Sequence, residues 1–116
     1  MVDLTPEEFD GLVGRALDTI PARLARAMDN VAVFVEEEPP DDVPGLLGLY
    51  EGVPLTERDG WYAGVLPDRI TIFAGPLMRR CATQDEVVEQ VRITVVHEVA
   101  HHFGIDDDEL DELGYA

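Results

Sequence analysis

The residues best suited to chemistry lie close together near the carboxyl end of the chain. All three histidines fall between positions 97 and 102, and residues 97–101 read H-E-V-A-H. Residues four apart lie on one face of a helix, so His97 and His101 can bind a common ion. Two imidazoles beside the Glu98 carboxylate suit Zn²⁺. As core histidines they would instead leave buried polar groups that need partners.

A third metal ligand is expected just beyond this helix. Gly104 tolerates positive φ, so it can reverse the chain and return Asp107 to the metal. His102 projects about 100° away from its neighbour His101 and is expected to support the site or to be partly exposed rather than to bind the ion. Other acids of the tail remain alternatives for the third position: Asp106, Asp108 and Glu109.

This set of residues predicts a hydrolytic centre with one zinc ion per chain. His97, His101 and Asp107 would hold the ion, and a water molecule would take the fourth position. Zinc lowers the pKa of bound water to about 7, and Glu98 is placed to act as the general base. Tyr50 and Tyr115 are candidate oxyanion donors, although packing roles suit them better.

The histidines must be positioned by a long helix. Residues 83–86 read T-Q-D-E, a capping box, and Gly104 is a typical stop signal, which together predict a helix from there to about Phe103. Its many valines favour strand locally. Its second half is apolar nearly all round, so we expect burial on most sides, with an opening only along His97 and His101, extended through Gln90 and Thr94.

The remaining elements are expected to form an α+β scaffold. The capping box at residues 5–8 starts an amphipathic helix, and Pro21 ends it or begins a second short one. Strands are predicted at Val31–Val35, Leu47–Glu51 and Asp68–Phe73, and the acidic residues 36–42 between the first two should form an exposed loop. Further expectations concern the connections: Ala74-Gly75-Pro76 should stop the third strand, residues 77–82 should connect onward, and a short acidic helix should follow residue 105.

Composition limits the classes of function. The 116 residues fit one domain, 1–116, and the net charge is −17, with eight arginines and no lysine. Nucleic-acid or anionic-membrane binding would need a basic surface, so neither is expected. No signal peptide or apolar span is evident, which predicts a cytoplasmic protein, and a monomer is compatible with these features. Cys81, the single cysteine, is expected to be a buried or idle thiol.

Residues 97–107 match the long form H-E-x-x-H-x-x-G-x-x-D. Together with Gly48–Leu55, Leu66–Ile70 and Val95–Val96, they make the chain resemble the small bacterial minimal zincin family of metallopeptidases. The resemblance implies a zincin-like fold with a small mixed sheet above the active-site helix. It also implies a peptide or protein substrate along an edge strand, for which Ile70–Phe73 is the candidate. The alternative function is a non-catalytic metal-binding or regulatory module.

Overall fold

The computed structural model describes residues 1–52 and 67–104. In this part of the chain a three-stranded mixed sheet packs against helices, which confirms the predicted α+β class. The predicted acidic helix after residue 105 lies outside the described residues. The elements in chain order are α1 (Pro6–Asp18), α2 (Ala22–Ala27), β1 (Val31–Glu36), β2 (Gly48–Glu51), β3 (Asp68–Phe73), α3 (Ala74–Arg80) and α4 (Gln84–His102).

The N-terminal helix pair forms as predicted. The Thr5 hydroxyl accepts a hydrogen bond from the Glu8 N–H at 3.2 Å, and the Glu8 carboxylate accepts from the Thr5 N–H at 3.0 Å. These reciprocal bonds satisfy backbone donors that the first turn of α1 would otherwise leave unpaired. The apolar stripe of α1 is buried, and α1 packs against α4; its buried residues are Phe9, Leu12, Val13 and Ala16.

The order of the strands corrects one prediction. β1 pairs with β3 in parallel and β2 pairs with β3 antiparallel, so β3 lies between the other two. Ile70–Phe73 is therefore central in the described sheet, and its assignment as the edge was wrong. The alternation of polar and apolar residues had indicated exposure, but Asp68 and Thr71 are only 9% and 6% exposed.

Helix α3 was not predicted, because Ala74-Gly75-Pro76 reads as a stop signal. Pro76 is tolerated because it lies in the first turn, where its missing N–H has no partner within the helix. Gly75 is needed for a close approach: its N–H donates to the Glu37 carbonyl at 2.7 Å, and a Cβ there would lie 2.7 Å from that same backbone oxygen. The Glu38 carboxylate accepts two hydrogen bonds from Arg79.

Helix α4 begins and ends close to the predicted boundaries. The Thr83 hydroxyl accepts from the Glu86 N–H at 3.1 Å, but the Glu86 carboxylate accepts from the N–H of Ala82 rather than from that of Thr83. The helix is followed by Gly104 with φ of +72°, the left-handed conformation that a helix stop favours.

Helix α4 lies directly against β2. A Cβ at Gly48 would be 2.6 Å from the Thr94 methyl carbon, so glycine is required for this approach. Just after the end of β2, a Cβ at Gly52 would be 3.2 Å from the His102 ring. The contact therefore brings β2 alongside the histidine end of α4. None of the described helices is both long and apolar enough to cross a membrane.

Candidate active site

The two histidines of the H-E-x-x-H motif lie on one face of α4. Their rings are 6.5 Å apart between centroids and nearly parallel, with an interplanar angle of 11°. His97 is half-buried and His101 is exposed. The helix therefore holds the two predicted imidazole ligands in neighbouring turns.

The pair suits a zinc ion in donor type and nearly in spacing. Two imidazoles bound to one tetrahedral zinc have ring centres roughly 5 Å apart. The observed separation of 6.5 Å is larger than this, and the His101 ring is exposed. In residues 1–52 and 67–104 no cluster of three or more His, Cys, Asp or Glu side chains forms a metal site. Asp107, the predicted third ligand, lies outside the described residues, as do the alternatives Asp106, Asp108 and Glu109.

Glu98 lies beside both imidazoles and is half-buried. Burial raises the pKa of its carboxyl group, and the nearby His101 and His97 partly offset that increase. No hydrogen bond or ion pair joins Glu98 to the described residues. A carboxylate whose pKa is shifted toward neutrality is better suited to accept a proton at neutral pH than an exposed one.

An open groove of about 320 Å³ passes over His97 and Glu98. One wall is the start of β2 with the two residues before it, and the other is the face of α4 that carries Gln90, Thr94 and His97. The predicted opening is therefore present along Gln90, Thr94 and His97, whereas His101, which the prediction included, does not line this groove. A groove of about 420 Å³ lies between α1 and β1, but among its lining residues only Asp10 is ionisable. The donor groups therefore identify the candidate site better than size does.

His102 faces a different set of partners. Its ring stacks on that of Tyr50, with centroids 3.9 Å apart, and its Nε2 lies 3.6 Å from Asp68 Oδ2. The Tyr50 hydroxyl donates to the same carboxylate oxygen at 2.7 Å. Tyr50 therefore has a packing and hydrogen-bonding role in the structure, whereas Tyr115 lies outside the described residues. We call His102, Tyr50 and Asp68 the docking cluster.

Two features of this region were missed by sequence reasoning. Asp68 was assigned only to a half-exposed strand, and Arg80, which lines the groove, was assigned to a connection. Neither has a local signal, because their importance depends on strand order and on the position of α3. Cys81 was predicted correctly as a buried thiol: it is 2% exposed, and burial together with the nearby Glu86 charge raises its pKa.

Comparisons with known proteins identify the family and agree with the fold. The family model for zincin-like metallopeptidases matches residues 28–115. A solved structure of a conserved hypothetical protein from Thermo thermophilus is similar, with a TM-score of 0.59 and 27% sequence identity over 86% of this chain and 94% of that chain. No curated protein matches the chain. The family match includes the helix of the H-E-x-x-H motif, and the chain belongs to the zincin-like metallopeptidase family.

Proposed function

We propose that this protein is a zinc-dependent peptidase whose general base is Glu98. The observation that supports this most directly is a half-buried carboxyl group, with its pKa raised, beside two nearly parallel imidazoles. Glu98 and the nearer of these histidines, His97, line an open groove. The family match makes a metallopeptidase the expected class.

Each residue has a separate role in this proposal. His97, His101 and Asp107 would hold the ion through two imidazoles and one carboxylate. A zinc ion bound there would supply a water molecule of lowered pKa and would polarise the scissile carbonyl. The Glu98 carboxylate accepts the proton from the attacking water and then donates it to the departing amine, so the carboxylate is regenerated.

β2 is the strand best placed to bind a peptide in an extended form. Within the described sheet it pairs on one side with β3, and its first residue, Gly48, lines the groove beside His97. A peptide can add to the edge of a sheet through main-chain hydrogen bonds. β2 therefore replaces Ile70–Phe73 as the proposed substrate strand.

The test compares wild type with Glu98→Gln, both loaded with one equivalent of zinc. Hydrolysis of a peptide library, followed by mass spectrometry, should fall about 10²- to 10⁴-fold in the variant, because the general base is lost. Zinc content should remain near that of wild type. His97→Ala is the matched control, which should lose both zinc and activity. Equal hydrolysis by wild type and Glu98→Gln would contradict the proposal.

A non-catalytic binding or regulatory module is the second candidate function. The observation that favours it is the open groove, together with the exposure of His101. Wild-type protein that binds one zinc ion but cleaves no peptide of the library would support this candidate over the first.

A further inference from the structure

We propose that Arg80 makes the groove selective for peptides that carry a carboxylate about three residues from the scissile bond. This inference rests on the proposed peptidase function. The carboxylate can belong to an Asp or Glu side chain or to a free carboxyl terminus, since a guanidinium binds both in the same bidentate way.

Arg80 differs from the arginine that precedes it. Arg79 donates two hydrogen bonds to the Glu38 carboxylate, at 3.0 and 2.8 Å. Arg80 is exposed and lines the groove, and it makes no hydrogen bond or ion pair with the described residues. The two adjacent cations therefore differ. Arg79 is paired with a carboxylate of the protein itself, and Arg80 faces the space proposed for the substrate.

The position of Arg80 sets the distance to the reacting centre. It is the last residue of α3 and lies just before α4, whose start at Gln84 is four residues later. Arg80 therefore lies toward the Gln90 end of the groove. From Gln90 to His97 the helix rises roughly 10 Å. An extended peptide spans that distance with about three residues at about 3.3 Å each.

The charges of the groove favour an anion at this end. Among its lining residues the ionisable side chains are Arg80, His97 and Glu98. A substrate carboxylate close to Glu98 would be repelled, whereas one close to Arg80 would be attracted. The net charge of −17 opposes acidic peptides at long range. At physiological salt, interactions beyond about 8 Å are largely screened, so the contact with Arg80 outweighs distant repulsion.

The experiment measures kcat/KM for pairs of peptides. The two members of a pair differ only in having Glu or Gln three residues from the cleaved bond, and there is one pair for each side of that bond. A further pair differs only in a free or an amidated carboxyl terminus at that distance. Wild type should prefer the carboxylate member of at least one pair about three- to tenfold. Arg80→Gln should reduce that ratio to about one, and Arg80→Glu should invert it.

Arg79→Gln is the matched control, because it removes the same charge one residue away and should retain the wild-type ratio. A wild-type ratio near one for every pair would overturn the inference. An equal loss of preference in Arg79→Gln and Arg80→Gln would also overturn it, since that result indicates a general effect of charge.

A binding measurement separates failure of this inference from failure of the proposed function. The same peptides, now labelled, are titrated into two zinc-loaded proteins. One carries Glu98→Gln alone, and the other carries both Glu98→Gln and Arg80→Gln. Tighter binding of the carboxylate member, lost in the double variant, supports the role of Arg80 even where wild type cleaves nothing. Equal affinities for both members in Glu98→Gln protein overturn it.

Discussion

The last two turns of α4 have two faces, and the histidines on them differ in their contacts with the rest of the protein. His97, Glu98 and His101 form what we call the open face, where no hydrogen bond or ion pair joins them to the described residues. His102, one residue further, stacks on Tyr50 and lies 3.6 Å from the Asp68 carboxylate. His97 and Glu98 of the open face line the groove, whereas the docking cluster joins the helix to two strands.

The difference shows which polar groups the fold uses for its own stability. A buried or half-buried polar group without a partner costs free energy, so His97 and Glu98 are poorly explained as structural residues. His102 has ring contacts and an acidic neighbour within the protein, which is what a structural histidine needs. Three histidines in six residues therefore divide into two proposed ligands and one anchor.

The largest effect is expected when one histidine is removed from each face in turn. His101→Ala should weaken zinc binding by more than about 100-fold, the upper end of the loss seen when a residue that only supports a ligand is removed. His102→Ala should weaken it by less than about tenfold. Competition with a fluorescent chelator measures both affinities. Equal losses in the two variants would contradict the division into faces.

A smaller effect is expected from Tyr50→Phe, which removes only the hydroxyl of the docking cluster. The lost hydrogen bond to the Asp68 carboxylate should lower the free energy of unfolding by about 1.5–3 kcal/mol, as measured by urea denaturation at pH 7. Zinc affinity should change by less than about tenfold. Tyr50→Leu is the companion variant, because it also removes the ring stacked on His102 and should cost more. A Tyr50→Phe protein as stable as wild type would show that this bond does not stabilise the fold.

The smallest expected effect concerns Glu98 in metal-free protein. Burial raises its pKa in the folded state above the ordinary value of 4.5. The folded state therefore binds this proton more tightly than the unfolded state, and the associated stability is lost as the pH rises through the folded-state pKa. Glu98→Gln lacks that titration. The melting temperature of the variant minus that of wild type should therefore increase as the pH rises from 4 to 7. Melting curves recorded with EDTA measure this difference. A constant difference across that range would contradict the expectation.

Local sequence was sufficient to predict α4 and the placement of its open face. The cap at Thr83, the stop at Gly104 and the spacing of His97 and His101 all act within a few residues, so they can be read without knowledge of the rest of the chain. The groove along Gln90, Thr94 and His97 matches that part of the predicted opening, although His101 does not line it. The predicted ligand roles of His97, His101 and Asp107 remain predictions.

Strand order, the docking cluster and the difference between Arg79 and Arg80 were decided only by the tertiary structure. Each depends on contacts between residues far apart in sequence: Glu38 with Arg79, Tyr50 with Asp68, and β1 with β3. Local propensity cannot specify which strand is central, because an alternating segment such as β3 is equally compatible with an edge. The sequence by itself therefore determined the chemical motif and its helix, and long-range packing determined what surrounds them.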